Sequence, residues 1–291
     1  MDTIERGISD QYGLRFICVD VTDTASVLAL RHRSGPVATE ILAQALAAAG
    51  LLSSDLENEH ECISIQLQVD GPIQGLLVEA AFGGKLRGYT NRKTSTSTTN
   101  IQTVAVKESL GNIGKMAVMH SEPGRLIYSG HIQATPPDLE KNLARFYNMS
   151  RQVPTAVCLF TLVTNQTLER AVGLAVQKLP FADTQKFVEV LECFNDGRIR
   201  RVMAGNASLA DVAQPVRISD IMTVGSGRFS FECRCNFQKI VKVLSAFPDS
   251  DIREMSESKE PQTVTCHFCG EVYLVSRVQL ETILTERKRT H

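Results

Sequence analysis

The chain has 291 residues, of which 43% are hydrophobic and 22% charged, the composition of an ordinary globular protein. Its length is too great for one small core and favours two domains with a connector. A net charge of −1 argues against general binding of nucleic-acid backbones, which requires a basic excess. The polar opening MDTIERGISD and the lack of a long uninterrupted apolar run predict a cytoplasmic protein that does not bind membranes.

The first part of the chain alternates helix and strand signals. An Ala- and Leu-rich run from Ser34 to about Gly50 predicts a largely buried helix. Apolar and polar residues alternate in CISIQLQV, which predicts a half-buried strand, and the DGP turn leads to a second strand ending near Phe82. The Ser/Thr-rich stretch Asn91–Thr103 predicts a flexible loop between strands.

Similar signals continue to about residue 180. GKMAVMH and GRLIYSGHI predict another strand pair, with EPG as the turn. PPD opens the predicted helix LEKNLARFYNMS, and TAVCLFTLV continues as a buried strand. Mixed helices and antiparallel strands predict an α+β fold, with an N-terminal mixed α/β core domain over residues 1–180.

Residues 181–230 differ in character and predict a helical connector. A helix is predicted from Asp183 to Phe194, because its apolar residues follow the i, i+3, i+4, i+7 spacing. The following stretch, as far as MTVGSGRF, carries short apolar groups separated by Gly and Pro. Such a segment must rest on another surface to bury its apolar side.

The eight cysteines are unevenly distributed along the chain. In an intracellular-looking chain of this size, they favour metal or redox groups over a disulfide framework. Four of them stand alone among apolar neighbours and are predicted to be buried small hydrophobic residues. These are Cys18, Cys62, Cys158 and Cys193. The other four form a C-x-C pair, Cys233 and Cys235, and a C-x-x-C pair, Cys266 and Cys269.

The spacing of the two pairs predicts a structural zinc site. Zinc prefers four tetrahedral thiolate or imidazole ligands, and a C-x-x-C turn presents two sulfurs from one tight knuckle. The C-x-C pair requires a bend at Arg234, because a straight strand would point its two sulfurs to opposite faces. His267 and His291 are the minor alternative ligands, and an iron–sulfur centre is the alternative cofactor.

The two pairs lie in a predicted C-terminal domain, residues 231–291. Asn236 can cap a helix, Gly270 frees the knuckle backbone before the strand EVYLV, and Ser276 with Gln279 forms a capping box for VQLETILTE. A core of this size is marginal, so zinc would contribute on the order of 10 kcal/mol to folding. Because oxidation to disulfides destroys a thiolate site, the cluster can serve as an inert strut or as a redox switch.

Motifs along nearly the whole chain match one known pattern. C-x-C is followed some thirty residues later by C-x-x-C. Three further segments match the same pattern. They are Ile63–Thr90, which contains a QVDGP turn, and the stretches LGNIGKM and FYNMSRQVPTAV. Together they resemble the redox-regulated holdase chaperones known as heat shock protein 33. Arg151 stands where that family usually has Glu, and the loop Asn91–Thr103 is longer than typical.

The resemblance implies a chaperone that is activated by oxidation. When reduced, Cys233, Cys235, Cys266 and Cys269 would hold one Zn2+ per chain, and the protein would be inactive. Oxidation would form the disulfides Cys233–Cys235 and Cys266–Cys269, release zinc, and unfold the C-terminal region. The activated chain would dimerise and bind unfolding client proteins under oxidative stress. It would have no enzymatic activity and no need of ATP, and the sequence contains no G-x-x-x-x-G-K-[ST] loop.

The resemblance also makes the connector the expected client-binding region. The apolar groups expected to become exposed on activation are Phe181, Phe187, Val188, Leu191 and Phe194. The alternative is an ordinary amphipathic helix that stays packed on the N-terminal domain.

Two other functions are consistent with a four-cysteine module. The first is a constitutive zinc ribbon that docks another macromolecule, although only the tip ERKRTH is basic enough for nucleic acid. The second is a thiol–disulfide oxidoreductase or a zinc hydrolase. A four-sulfur site leaves no open position for water, and a thioredoxin-like C-x-x-C would be followed directly by a helix rather than by EVYLV.

Overall fold

The computed structural model of the chain describes residues 1–93, 102–205, 208–258 and 260–290. The chain divides into two compact units, Met1–Glu232 and Cys233–His291. The segment predicted as a connector belongs to the first unit in this division, and the three-part division at residues 180 and 230 stays a prediction. Most of the predicted Ser/Thr-rich loop and all of His291 lie outside the described residues.

The regular elements confirm the predicted α+β class, and a single turn of 3₁₀ helix, Ser53–Asp55, follows the second α-helix. In chain order they are β1 (Thr3–Ser9), β2 (Leu14–Asp20), α1 (Thr22–His32), α2 (Pro36–Leu52), β3 (Cys62–Val69), β4 (Gly75–Ala81), β5 (Lys85–Thr90), α3 (Gln102–Leu110), β6 (Gly114–Glu122), β7 (Arg125–Ala134), α4 (Leu139–Met149), β8 (Thr155–Thr164), β9 (Thr167–Lys178), α5 (Thr184–Asn195), α6 (Arg198–Ala204), α7 (Leu209–Val216), β10 (Ile221–Arg228), β11 (Ser230–Phe231), α8 (Phe237–Leu244), α9 (Asp249–Glu257), β12 (Gln262–Thr265), β13 (Val272–Val275) and α10 (Arg277–Thr290).

The first unit contains two sheets. Five antiparallel strands form one sheet in the order β10-β1-β2-β9-β8, and the other has the order β11-β5-β4-β3-β6-β7. The short pairing of β11 with β5 is parallel, whereas the other strand pairs of this sheet are antiparallel. Both predicted strand pairs, β3 with β4 and β6 with β7, are confirmed, because their DGP and EPG turns join antiparallel neighbours.

The Ala- and Leu-rich helix α2 packs between the two sheets. Pro36 stands at its first position, where the missing N–H of proline leaves no helical hydrogen bond unmade. By length and composition, Pro36–Asp55 could cross a membrane, but 78% of its most apolar window is buried inside the protein. Its small residues lie in one core with apolar side chains of both sheets, such as Val19 and Ile63. The segment is therefore the core helix that the sequence predicts.

The outer face of the five-stranded sheet carries a second apolar core. We call its strand residues the covered sheet face: Leu14, Phe16, Cys18, Ala156, Cys158, Val172, Leu174 and Val176. The helices α5, α6 and α7 lie over this face and bury their own apolar residues against it. The predicted helix Asp183–Phe194 is α5, and the Asp183 side chain caps it by accepting a hydrogen bond from the backbone N–H of Lys186 at 3.0 Å.

The end of the predicted connector is a strand, which differs from the expectation of a loose apolar stretch. MTVGSGR lies in β10 and pairs with β1, so that Arg228 faces Thr3 and Ile221 faces Ser9. The two glycines suggest a loop when the sequence is considered locally, but the partner strand is at the other end of the unit.

The second unit has a small core of its own. Asn236 caps α8 by accepting a hydrogen bond from Lys239 N at 2.9 Å. Ser276 N donates to Gln279 Oε1 at 2.8 Å, and Gln279 N donates to Ser276 Oγ at 3.4 Å, which confirms the predicted capping box. The helix α9 is not predicted by the sequence pattern. The buried residues of this core are Ile240, Leu244, Ile252, Val275, Leu280 and Ile283.

Candidate metal centre

The four cysteines of the second unit lie together. The Sγ atoms of Cys233, Cys235, Cys266 and Cys269 are all within 4.8 Å of one another. The two shortest recorded contacts join the pairs to each other, with 3.3 Å between Cys235 and Cys269 and 3.7 Å between Cys233 and Cys266. The cluster is therefore a single site to which both pairs contribute, as the spacing predicts.

The C-x-x-C pair sits in a tight knuckle after β12. The backbone N–H of Cys266 donates to Glu271 O at 2.9 Å, and that of Gly270 donates back to Cys266 O at 2.9 Å. Gly270 has a φ of 73°, in the left-handed region where glycine has no side-chain penalty. Glycine therefore suits the left-handed position at 270, and the two hydrogen bonds of Cys266, one to Glu271 and one to Gly270, close the knuckle.

The C-x-C pair lies between β11 and α8, in residues that belong to neither element. A straight strand would separate the two side chains, and the irregular backbone here allows both sulfurs to reach the same cluster. The bend expected at Arg234 is consistent with this arrangement. The carbonyl of Arg234 accepts a hydrogen bond from Lys239 Nζ at 2.6 Å, which ties the segment to the first turn of α8.

The donor set and its spacing fit zinc. Tetrahedral ligands at the usual Zn–S distance of about 2.3 Å have sulfur atoms about 3.8 Å apart. The sulfur separations in the cluster range from 3.3 Å to at most 4.8 Å and thus bracket that value. The exposed side chain of His267 is not part of the cluster. The four-cysteine group is therefore close enough to bind a metal ion without an imidazole ligand.

Tyr273 contacts the cysteine cluster and is a residue that the sequence analysis does not identify. Its hydroxyl, on β13, donates a hydrogen bond to Cys235 Sγ over 3.1 Å. This hydrogen bond, with burial, raises the pKa of Tyr273. The register of the β12–β13 hairpin could have indicated this contact. Tyr273 pairs with Val264, and Val264 lies two residues before Cys266 in the knuckle.

The four thiols differ in their electrostatic surroundings. Burial raises the pKa values of Cys233 and Cys269. At Cys235 burial has the same tendency, but the hydrogen bonds from Tyr273 and the neighbouring thiols outweigh it, so its pKa is lowered. The site therefore has one sulfur whose charged form is specifically supported by the surrounding protein.

The isolated cysteines are placed as expected for structural residues. Cys18, Cys158 and Cys193 are buried, and Cys62 is half-buried. Burial raises the pKa of Cys158 to about 12 and also raises the pKa values of Cys18 and Cys193. These buried thiols are thus disfavoured as thiolates, the reactive form of cysteine.

The five apolar residues predicted to bind clients have different environments. Phe181 is fully exposed at a φ of 66°, and Val188 is 39% exposed. Phe187 is only 7% exposed, and the partly buried Leu191 and Phe194 pack against the apolar core that the helices and the covered sheet face form. The structure thus brings Phe187, Leu191 and Phe194 to one apolar surface, whereas Phe181 lies away from it. The sequence pattern does not identify the sheet residues beneath them.

Fold and site together define a class of protein: a two-unit α+β chain whose small C-terminal unit contains a four-cysteine cluster that fits a metal site. A family model described as "Hsp33 protein" matches residues 2–276. The chain therefore belongs to the Hsp33 family, and the resemblance drawn from its motifs is confirmed.

Relatives match along nearly the whole length. A protein named 33 kDa chaperonin from Cyanothece sp. is 27% identical over 297 aligned residues, which cover 99% of this chain and 98% of the relative. The 33 kDa chaperonin of Thermus thermophilus is also 27% identical, over 98% of this chain and 87% of its own. The crystal structure of the 33 kDa chaperonin (heat shock protein 33 homolog) from Thermotoga maritima has the same fold, with a TM-score of 0.88, 21% identity and 99% coverage of both chains.

Proposed function

We propose that this protein is a redox-regulated, ATP-independent holdase chaperone that binds unfolding proteins under oxidative stress. Membership of the Hsp33 family and relatives named as chaperonins support the general class. The observation that carries the redox part is the cluster of four cysteine sulfurs within 4.8 Å. The protein would act in the cytoplasm without enzymatic activity, and without nucleic-acid or membrane partners.

In the reduced protein, Cys233, Cys235, Cys266 and Cys269 would hold one Zn2+ ion. Zinc bound to four thiolates supplies folding free energy, on the order of 10 kcal/mol for structural sites. Among the described residues of that unit, the apolar core cluster has six buried side chains. A core of this size gives only marginal stability without a disulfide or a bound metal, so the fold of the second unit would depend on the metal.

Oxidation by a peroxide would remove the ligands. In each pair, Cys233 with Cys235 and Cys266 with Cys269, two thiolates would together lose two electrons and form one S–S bond. Each bond would consume one peroxide, whose O–O bond is cleaved to hydroxide or water. Because zinc requires thiolates, the four side chains would then no longer bind it, and the unit would unfold.

The link to the first unit runs through the chain itself. One residue, Glu232, separates β11 from Cys233. The helices α5 to α7 and then β10 precede β11 in the chain. Loosening of this connector would uncover the covered sheet face, together with Phe187, Leu191 and Phe194. These surfaces are apolar and continuous, as binding of unfolded proteins requires. The activated chain would also form a homodimer.

The test combines metal content with chaperone activity. Zinc is quantified in the purified protein, and suppression of aggregation of a thermally unfolding test protein is measured before and after hydrogen peroxide with mild heat. We expect one zinc per reduced chain, and chaperone activity that appears as zinc is released. Equal activity in both states, or none in either, would refute the switch and favour a constitutive zinc module.

A further inference from the structure

The second unit carries an open groove between α8 and the start of α9. Its volume is about 810 Å³, and the residues that line it all belong to this unit. The apolar part of the lining consists of Val243, Ala246, Phe247 and Pro248. The groove is thus separate from the covered sheet face of the first unit and from the cysteine cluster.

The groove exists because α8 has apolar residues on two faces. Ile240 and Leu244 are buried in the core of the unit. Val243 is 57% exposed, and Phe247, one helical turn further on, is 40% exposed. The turn continues past the end of α8, since Phe247 N donates to Leu244 O at 3.0 Å. Large apolar side chains that adjoin in an exposed groove are typical of interaction sites.

Arg287 of α10 holds the backbone at the end of the groove. Its guanidinium donates to Phe247 O at 2.7 Å and also to Ser245 O. The same side chain pairs with Asp249 at 2.5 Å. A surface whose backbone is fixed before binding loses less conformational entropy when a partner docks. Phe247 is therefore displayed on a preorganised surface.

Two cations stand beside the apolar lining. Lys239 and Lys242 are exposed and line the groove from α8. Lys239 Nζ donates to Arg234 O at 2.6 Å, and an ammonium has two further N–H donors. In the part of the chain that the structure describes, Lys242 has no carboxylate partner. The lining has one acid, Asp251, so its charge is positive overall and favours an acidic partner.

The apolar lining and the positive charge together select one kind of partner. A nucleic-acid backbone needs a continuous row of cations and would be repelled by Asp251. Symmetric pairing with a second copy of the chain would bring two positive grooves together. An acidic amphipathic helix meets both requirements, because its apolar face fills such a groove while its carboxylates reach the cations at the rim.

We propose that this groove is a docking site for an acidic amphipathic helix of a partner protein. An apolar side chain of the partner lies between Val243 and Phe247, and its carboxylates pair with Lys239 and Lys242. The docking site belongs to the reduced, folded form of the second unit.

The groove also links the partner to the redox state, and this step rests on the proposed function. The helix α8 contributes Ile240 and Leu244 to the core that oxidation is proposed to unfold. A partner that binds only the folded unit lowers the population of the unfolded form by about the ratio of its concentration to its Kd. A docked partner therefore keeps the chaperone inactive, and oxidation releases the partner.

The first experiment measures docking on the reduced, full-length protein. The probe is a fluorescein-labelled peptide that repeats Glu-Glu-Leu-Leu, and its binding is followed by anisotropy. We expect Val243→Asp to bind it about tenfold more weakly than the wild type. The matched control is Val278→Asp on α10, another exposed helical valine outside the groove, which should bind as the wild type does. Equal affinities of the two variants would overturn the docking site.

The second experiment separates the local charge from the net charge. Lys242→Glu should weaken peptide binding about fivefold at low salt, and the difference should shrink as salt screens the contact. Lys115→Glu makes the same change in net charge at an exposed position of β6 and should leave the affinity unchanged. Equal affinities of these two variants would overturn the assignment of the partner's carboxylates to this rim.

Two outcomes would overturn the choice of partner. A labelled single-stranded oligonucleotide that binds more tightly than the peptide, and is lost in Lys242→Glu, would assign the groove to nucleic acid. Self-association of the reduced wild type that Val243→Asp abolishes, measured by sedimentation, would assign it to a second copy of the chain.

The regulatory step has its own readout. With the peptide at about ten times its Kd, zinc release under peroxide and mild heat should slow by up to about tenfold, measured with a chromogenic chelator. The Val243→Asp protein should show no such slowing. Unchanged release from the peptide-bound wild type would overturn the regulatory step. Lack of chaperone activity in both redox states would instead refute the proposed function, and peptide binding by the reduced protein does not depend on it.

Discussion

The hydroxyl of Tyr273 donates a hydrogen bond to the Sγ atom of Cys235 across 3.1 Å. A donor that hydrogen-bonds a metal ligand without touching the metal orients that ligand and stabilises its charged form. We expect Tyr273→Phe to weaken zinc binding about 10- to 100-fold, the usual cost of losing such a partner. Competition with a chromogenic zinc chelator measures the change.

The control for this variant is another half-buried phenol, that of Tyr128. Tyr128→Phe also removes one hydrogen bond, from Tyr128 Oη to Ser150 O at 3.3 Å, but in the first unit. It should leave zinc affinity unchanged. A Tyr273→Phe protein that competes with the chelator as well as Tyr128→Phe does would show that the phenol has no role in metal binding.

The pairing of the disulfides is a second prediction. The closest recorded sulfurs, Cys235 and Cys269, are 34 residues apart in sequence, and a bond between them would close a loop that stabilises the unit by about 4 kcal/mol. Bonds within Cys233–Cys235 and Cys266–Cys269 close very short loops and leave the two halves free to separate. Because the proposed switch needs unfolding, we expect peptide mapping by mass spectrometry to find only the short-range pairs after peroxide.

Limited proteolysis gives the corresponding physical readout. Short-range pairing should make residues 233–291 sensitive to protease after oxidation, whereas cross-pairing should keep them resistant. A resistant, cross-paired product with full chaperone activity would contradict the unfolding step.

Two phenylalanines in the predicted connector offer a matched test of its packing. Phe187 is 7% exposed, whereas Phe181 is fully exposed. Truncation of a buried Phe to Ala costs about 3–5 kcal/mol, so Phe187→Ala should loosen α5 and raise chaperone activity of the reduced protein. Phe181→Ala should change neither the melting temperature nor the hydrogen exchange of α5. Equal melting temperatures for the two variants would show that α5 contributes no stability through Phe187.

The buried Glu61 predicts a dependence of stability on pH. The backbone N–H of Glu57 donates to Glu61 at 2.7 Å and is the main reason that the pKa of Glu61 is lowered. A carboxyl with a lower pKa in the folded state adds stability above its unfolded pKa of about 4.3 and loses it as pH falls through the folded value. Glu61→Gln should therefore lower the melting temperature at pH 7, with the difference shrinking towards pH of about 3.

The control for Glu61 is its exposed neighbour, Glu59, whose side chain is 80% exposed. The Glu59→Gln variant should have the same melting temperature as the wild type at both pH values. A difference between Glu61→Gln and the wild type that is constant across the range would attribute the effect to packing rather than to charge.

The parts of the fold that the sequence predicts are those with local causes. The capping box at Ser276, the cap at Asn236 and the alternation in β3 depend on residues that are close in the chain, and all are confirmed. The metal cluster also belongs here, because two short cysteine motifs with sufficient spacing define it without knowledge of the fold.

The parts that the sequence does not predict depend on distant partners. MTVGSGR becomes a strand only because β1 offers it a paired edge, more than two hundred residues earlier in the chain. The Glu140–Arg200 contact and the bond from Tyr273 to Cys235 likewise join residues whose own neighbourhoods give no sign of each other. Such pairings arise from topology, which local patterns of apolar and turn residues do not encode.

The pairing of β1 with β10 also bears on how the protein is made. The strand β1 lies between β2 and β10, so it gains its second neighbour only when Arg228 has been synthesised. Pairings between the ends of a chain form late because a long loop must close first. A nascent chain would therefore hold an incomplete sheet through most of its synthesis. The cysteine motifs follow Arg228 in the chain, so any metal ion that they bind would be bound after the strands of that sheet have been synthesised.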